Sequence, residues 1–463
     1  MRRSEKFLAA LLGCSMLFGL GACNGVEDGA GNSNTDSQYS QSSGDEEKVT
    51  EKILLNKKSF TLFLKEETEQ TARLEPRVYD GGVEIEGTQV SYIVEDPEVA
   101  TVNADGEITP KGAGRTKVTA IYKNAKTIAD VIVIDEAAEA QVNTFDEKYV
   151  NTYGRTYFKG DKLCLDYVGA GVGVAVNGTS LTANIEVDTI LYLCVYVDGA
   201  EEYTRIQLTP KQKEYTLVSN MEEGFHTVRI VKSSEVYDGQ IHLVAFSSEG
   251  FYTAPEKSNF RIEFVGDSIT AGYGALGSPG DARTVENSDA CSSYAYYAAQ
   301  KLNVDYSMVA IQGICVKQNM WLTESMDDVY KLLSPLNRVE YDFADEADIV
   351  VLNLGTNDSS YITSKDFNYG ERFPEDYLAF LRYIREKNPD AHVLCLYGFM
   401  GKQSSVDKGI DQAIAAMNDE KVVRVKDGFI ANTFGANGHP SQEAQKEWGQ
   451  TLADYIEVNI MNK

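Results

Sequence analysis

From residue 260 to the end, short apolar runs alternate with amphipathic stretches. Apolar, β-branched runs at 260–266, 304–311, 347–355, 391–399 and 421–427 predict buried strands. Between them, helical periodicity predicts helices near 288–302, 326–336, 374–387, 405–418 and 441–458. In the third of these, Tyr377, Leu378, Leu381 and Ile384 form one apolar stripe. Pro374 stands where a first helical residue belongs, since a missing N–H costs nothing there. Such alternation predicts a parallel sheet with helices on both faces. Upstream the pattern is different. Residues 51–135 carry short alternating strands, such as 60–64, 90–94 and 117–122, with turn residues at sandwich spacing. From about 137 to 255 the β pattern continues without helical periodicity, and 190–197, 227–231 and 241–246 predict core strands. Asn177-Gly178 and Asp198-Gly199 predict hairpin turns that need positive φ.

The first residues belong to neither pattern. Arg2, Arg3 and Lys6 precede the apolar run 7–20, which is too short to span a bilayer comfortably. It ends in Leu20-Gly21-Ala22-Cys23, which resembles a bacterial lipobox. That resemblance implies cleavage before Cys23 and lipidation of its thiol, tethering the protein to a membrane outside the cytoplasm. Residues 24–49 hold almost nothing apolar and predict a flexible tether.

Charge and cysteine usage narrow the chemistry. Lys and Arg number 43 against 70 Asp and Glu, a net charge of −27 that repels phosphate backbones and argues against nucleic-acid binding. Only 4 histidines occur, with no His-x-x-His or Cys-x-x-Cys pair, so no metal site and no cofactor is expected. Beyond Cys14 and Cys23, the cysteines at 164, 194, 291, 315 and 395 are odd in number and mostly lie in apolar runs. Buried free thiols fit that placement better than a disulfide framework.

Candidate chemistry centres on 260–274, FRIEFVGDSITAGYG. Ile262, Phe264 and Val265 stop at Gly266, and Asp267 and Ser268 open a glycine-rich segment. This predicts a buried strand breaking into a turn, with a serine at the carboxyl edge where open α/β sheets place their sites. On its own the segment is equally a polar turn. Three later segments add to it. Gly313 follows 304–311, Gly355-Thr356-Asn357-Asp358 follows ADIVVLNLG, and His439 lies in Asn437-Gly438-His439-Pro440 before the last helical pattern. A serine hydroxyl needs a base to take its proton, and His439 alone among the histidines sits in a polar loop at an element boundary. His226, His242 and His392 fall in or beside strands, where packing explains them.

In that chain order, Ser, Gly, Asn and His resemble the four blocks of the SGNH (GDSL-type) hydrolases. The resemblance implies Ser268 as nucleophile and His439 as base. It implies an oxyanion hole made of the Ser268 and Gly313 amides and the Asn357 side chain, with Asp358 structural. One departure matters. The family commonly carries an acid two residues before the histidine, in an Asp-Trp-His-Pro type sequence, and here those positions are Asn437 and Gly438. His439 is then oriented by Asn437, by a backbone carbonyl, or by an acid elsewhere. Tyr273, Trp321 and Tyr361 are aromatic candidates either for sugar contact or for the core.

Two further resemblances organise the β regions. Val99-Ala100-Thr101-Val102, the run from Asp105 to Thr109 and Gly112-Ala113-Gly114 resemble bacterial immunoglobulin-like group 2 domains, which space other domains at cell surfaces. Tyr153-Gly154-Arg155-Thr156, in a module that runs straight into Gly266-Asp267-Ser268, resembles the family-2 carbohydrate esterases, which pair a jelly roll with an SGNH domain. The expected layout is a signal peptide at 1–22, a tether at 23–50, an all-β immunoglobulin-like sandwich at 51–136, a jelly-roll β-sandwich at 137–255 and an α/β SGNH hydrolase with a flavodoxin-like parallel sheet at 256–463. The implied function is an extracellular, lipid-anchored carbohydrate esterase that removes O-acetyl groups from xylan- or glucomannan-type polysaccharides through an acyl-serine. The alternatives are a degenerate surface glycan-binding or adhesion lipoprotein, and an SGNH esterase acting on peptidoglycan or lipid.

Overall fold

The computed structural model describes residues 51–461 apart from 58, 65–70, 82, 136–149, 223, 249–251, 256, 259, 319 and 427–429. The expected signal peptide, lipidated Cys23 and tether therefore lie outside the described residues. No helix among the described residues is long and apolar enough to cross a membrane.

The C-terminal part is built on a five-stranded sheet: β1 (Arg261–Gly266), β2 (Asp305–Ala310), β3 (Ile349–Asn353), β4 (His392–Leu396) and β5 (Val422–Arg424). Every pairing is parallel, and the strands run in the spatial order β2-β1-β3-β4-β5. Five helices accompany them: α1 (Tyr294–Leu302), α2 (Thr356–Ser364), α3 (Tyr369–Lys387), α4 (Ser404–Met417) and α5 (Gln442–Ile456). The strand sequences are nearly continuous apolar runs because successive side chains serve two covered faces. Ile262, Phe264, Ile349, Val351 and Leu394 pack with Tyr294, Ala298, Trp448 and Leu452 of α1 and α5. Val265, Val350, Leu352 and Val393 pack with Tyr377, Leu381, Val406 and Ile410 of α3 and α4. The strand order reverses direction between β1 and β3. The crevice beyond their carboxyl ends is therefore where this topology places a site.

Four sequence expectations are corrected here. The helix expected at 326–336 is a single turn, Met326–Val329, after which Leu332–Ser334 pairs with Val339–Glu340 as a small hairpin. Pro335, in the connection between the two hairpin strands, would disrupt a helix continued to 336. Helix α2 was not apparent, because TNDSSYITS is short, polar and partly β-branched. Pro374 is not the first helical residue but lies inside α3. An interior proline costs about 3 kcal/mol, less than the return from burying Tyr377, Leu381 and Ile384 at about 1.5–3 kcal/mol each. Asn177-Gly178 does not close a hairpin, since Gly171–Asn177 and Leu181–Val187 belong to different sheets. The Asp198-Gly199 turn does join paired strands, with φ of 52° and 69°.

Residues 151–253 form two antiparallel-paired sheets, one on Gly171–Asn177, Phe225–Lys232 and Leu191–Val197, the other on Lys162–Leu165, Ile241–Ser247 and Leu181–Val187. Val174, Leu193 and Ile230 of the first meet Leu165, Ile185 and Leu243 of the second in one core. The strand Leu191–Val197 reads LYLCVYV without polar alternation, because its other face is covered too. Tyr153, Cys194, Tyr196 and Val231 pack against Tyr296, Tyr306 and Met308 beside the parallel sheet. Tyr153 stacks on Tyr306 at 5.7 Å and Tyr196 on Tyr296 at 5.5 Å. Upstream, residues 51–135 form three small sheets, including Ser59–Leu64, Ala125–Asp135, Gly114–Tyr122 and Ser91–Val94 in one four-stranded sheet.

A buried ion pair ties the two larger regions together. Arg155, 1% exposed, bonds the Glu263 carboxylate on β1 at 3.0 Å. Its other nitrogen donates to the carbonyls of Tyr330 and Leu332 at 2.5 and 3.0 Å, and Tyr330 Oη donates to Glu263 at 2.6 Å. The guanidinium lies 4.1 and 4.8 Å from the ring centres of Tyr341 and Tyr330. Arg155→Met strands the Glu263 charge, so denaturant unfolding should register a loss of about 3–5 kcal/mol. The double variant Arg155→Met/Glu263→Gln should regain most of it. A single-variant loss below about 1 kcal/mol would show that the pair does not secure this junction.

Candidate active site

β1 delivers its carboxyl end to the switch point, and the chain turns at once. The Asp267 carboxylate accepts the Ile269 N–H at 2.9 Å, the Ala271 N–H reaches Asp267 O at 3.1 Å, and the Tyr273 N–H reaches Ser268 O at 3.0 Å. These bonds wrap the backbone around Ser268 and leave its own N–H without a partner among the described residues. Burial pushes the Asp267 carboxyl up to about 7, so this acid is a structural hydrogen-bond acceptor rather than a strong counter-charge.

His439 reaches the same place from the far end of the chain. Gly435 and Gly274 have almost no space between them: a Cβ on Gly435 would stand 2.2 Å from Gly274 O. The Ala436 N–H donates to Gly274 O at 2.8 Å and locks this close approach. Asn437 and Gly438 then both take positive φ, 54° and 70°, folding the chain back on itself. As a result His439 Nε2 lies 2.8 Å from Ser268 Oγ. His439 Nδ1 lies 3.3 Å from the backbone carbonyl of Asn437. A carbonyl can only accept, so Nδ1 carries the proton and Nε2 presents its lone pair to the serine hydroxyl. That is the tautomer a general base requires.

The Asn437 side chain, one candidate orienter in the sequence, points elsewhere: its amide donates to Tyr273 Oη at 3.3 Å. Its backbone carbonyl, another candidate, contacts the ring instead. Tyr273 lies against the imidazole, ring centres 4.1 Å apart, and the Arg283 guanidinium is 5.5 Å from the Tyr273 ring centre. With no carboxylate on Nδ1, burial pushes His439 down to about 4, partly offset by the Asn437 carbonyl.

Gly313 and Asn357 complete the group. Gly313 has φ of 75°, and a Cβ there would sit 3.1 Å from Trp321 Cβ. Among the described residues no partner holds its N–H. Asn357 is the second residue of α2, and its side-chain nitrogen lies 3.0 Å from Ile314 O and 3.4 Å from Asp267 Oδ2. It therefore stands between the Ser268 turn and the Gly313 loop. Asp358 bonds the Val316 N–H through both oxygens at 3.2 Å and secures that loop from behind. Among the described residues, two backbone N–H groups without partners and one side-chain amide thus lie where the chain leaves the carboxyl ends of β1, β2 and β3, a set suited to binding a developing oxyanion.

Of the sugar-contact candidates, Trp321 is 66% exposed against Gly313, whereas Tyr361 packs edge-on against buried Tyr369 at 5.3 Å. His226 bonds Asp198 at 2.7 Å and His242 bonds Gln240 at 2.5 Å, both away from the serine. Sequence reading passed over the covering role of Tyr273 and the buried carboxyl of Asp267; the only signal was their position inside the serine block. Among the described residues one group, Cys194, Asp289 and Cys291, brings three possible metal-ligand atoms within 4.8 Å of one another. Asp289 is already occupied by Ser233 Oγ at 2.8 Å, Cys291 N at 3.0 Å, Ser292 Oγ at 3.1 Å and Tyr203 Oη, and burial pushes both thiols up.

A serine, a base-ready imidazole and three N–H donors at the switch point of this sheet define the class of SGNH-type hydrolases. Sequence comparison refines the class. Residues 264–455 match the GDSL-like lipase/acylhydrolase family, and 152–256 match the carbohydrate esterase 2 N-terminal family. The chain thus carries a GDSL-like lipase/acylhydrolase domain directly after a carbohydrate esterase 2 N-terminal domain. It is 29% identical over 309 residues to the cellulase/esterase CelE of Acetivibrio thermocellus, covering 64% of this chain but only 37% of that protein's length. It is 25% identical over 263 residues to an acetylxylan esterase / glucomannan deacetylase of Cellvibrio japonicus, covering 54% of this chain and 72% of the other. A family two carbohydrate esterase from Clostridium thermocellum, solved in complex with cellohexaose, superimposes with a TM-score of 0.62 at 26% identity, over 67% of this chain and 99% of that one.

Burial and the absent carboxylate act on the imidazole in the same direction. A proton NMR titration should therefore place the His439 midpoint near 4, well below the ordinary 6.5, so that the ring stays neutral throughout pH 5–8. Asn437→Ala should leave that midpoint in place, because the carbonyl remains. A midpoint at or above 6.5, or a large move in Asn437→Ala, would contradict the geometry described.

Proposed function

We propose that this protein is a carbohydrate esterase that removes O-acetyl groups from xylan- or glucomannan-type polysaccharides through an acyl-serine. The observation that carries the reading is the 2.8 Å contact between Ser268 Oγ and His439 Nε2, with Nδ1 held in the donating tautomer. Ser268 Oγ attacks the acetyl carbonyl carbon while its proton passes to Nε2. The carbonyl oxygen becomes an oxyanion received by the Ser268 and Gly313 N–H groups and the Asn357 amide. Collapse expels the sugar oxygen, which takes the proton back from the imidazolium. Water, deprotonated by the same nitrogen, then releases acetate and restores the serine. The Asn437 carbonyl fixes the tautomer but brings no full charge, so the site works as a Ser-His dyad. A base with so low a pKa transfers its proton onward readily, yet it is a weaker proton acceptor, so the oxyanion donors carry more of the barrier.

The carbohydrate and the acetyl group are inferred from the names of the relatives, and exposed Trp321 beside Gly313 offers a face on which a sugar ring can stack. In the same reading residues 137–255 are the jelly roll of this esterase type, 51–136 an immunoglobulin-like spacer, and Cys23 a lipid attachment that holds the enzyme at the outer surface of a bacterial membrane.

Acetate release from acetylated xylan, acetylated glucomannan and O-acetylated peptidoglycan separates the substrate classes. The first two should be turned over, and Ser268→Ala should abolish this in a correctly folded protein. Retained turnover in Ser268→Ala would rule out the serine mechanism. Glycan binding without any acetate release would instead support a degenerate binding protein.

A further inference from the structure

Between the strand Phe225–Lys232 and the 3₁₀ turn Val236–Asp238, the β module sends one turn to the edge of the site. Glu235 caps that 3₁₀ turn and is 2% exposed. One of its oxygens accepts the Tyr237 N–H at 3.0 Å, as a capping side chain does. The other leaves the module and accepts the Gln312 N–H at 2.8 Å, one residue before Gly313. On its opposite side the same segment is tied to the serine strand, where the Ile311 N–H meets Gly266 O at 3.3 Å. Glu235 itself is fixed. Its N–H donates to Asp238 at 3.0 Å, and the buried Lys232 ammonium donates to the carbonyls of Ser234 and Glu235 at 2.7 and 2.9 Å. A buried carboxylate is a costly way to cap a three-residue turn that Ser or Asn would cap as well, so its second bond explains its presence better than its first.

We propose that Glu235 is a positioning residue for acyl transfer, holding Gln312 so that the Gly313 N–H is aimed at the developing oxyanion. The inference rests on the serine mechanism proposed above. It makes the β module part of the catalytic apparatus, since the group that sets one oxyanion donor comes from the other side of the module junction. Burial pushes the Glu235 carboxyl up, which limits its repulsion of the oxyanion it helps to receive.

The test compares the full chain with Glu235→Leu, Glu235→Gln and Ser268→Ala in aryl acetate hydrolysis and in binding of phenylboronic acid, which forms a tetrahedral adduct on an active serine. Losing an oxyanion donor outright costs about 10²–10³ in kcat, so misaiming one in Glu235→Leu should cost about 30-fold, with KM within about twofold. Boronate affinity should fall by a similar factor. Glu235→Gln keeps one acceptor oxygen but opposes an amide N–H to a backbone N–H, so about 3- to 10-fold should be lost in the same pattern. Thermal unfolding identifies a variant that fails to fold, in which case Glu235→Gln decides. Wild-type kcat in the folded variants, or a fall in kcat without a matching fall in boronate affinity, overturns the inference. Turnover retained by Ser268→Ala would instead overturn the serine mechanism beneath it.

Discussion

Everything at the site depends on how β1 is held, and β1 is held by a charge that cannot be left alone. Glu263 lies buried in the strand, and Arg155 meets it from the β module. Either charge without the other would be an uncompensated buried ion, so the two regions are bound to one arrangement. Ser268 follows Glu263 by five residues on the same short path, so its position is inherited from that junction. The rings of Tyr341, Tyr330 and Phe343, with centres 4.1, 4.8 and 5.4 Å from the guanidinium, lie against the pair and help to keep water away.

Seen from that junction, the β module is a structural part of the hydrolase rather than an appendage. One of its sheets is buried on both faces, and its Glu235 touches the loop that carries Gly313. The orientation of His439, by contrast, is decided within two residues, through the carbonyl of Asn437. A backbone carbonyl gives direction without full charge, so it offsets only part of the burial that makes the ring hard to protonate.

Much of this was legible in the sequence. The five strands announced themselves as apolar runs, and Ser268, Gly313, Asn357 and His439 each follow an apolar run or precede a helix, where local pattern is informative. Helix α2 was hidden because its residues favour turns, and only its start at Gly355, with φ of 122°, and its packing make it helical. The hairpin at 332–340 was hidden by an apolar run that reads as a helix. Whether Asn437 acts through its amide or its carbonyl depends on a positive φ that no periodicity encodes. Glu235 and Arg155 were hidden for a different reason: their partners lie 77 and 108 residues away, and a buried charge reveals its purpose only when the partner is seen.

The central claim is that acyl transfer passes through Ser268. Mixing the protein with excess aryl acetate, quenching in acid within one turnover and mapping the modified peptide by mass spectrometry tests it most directly. The account predicts an acetyl group on Ser268 itself, formed no more slowly than steady-state turnover. Acetate released with Ser268 unmodified, or an acetyl group carried by another residue at the rate of turnover, would contradict it.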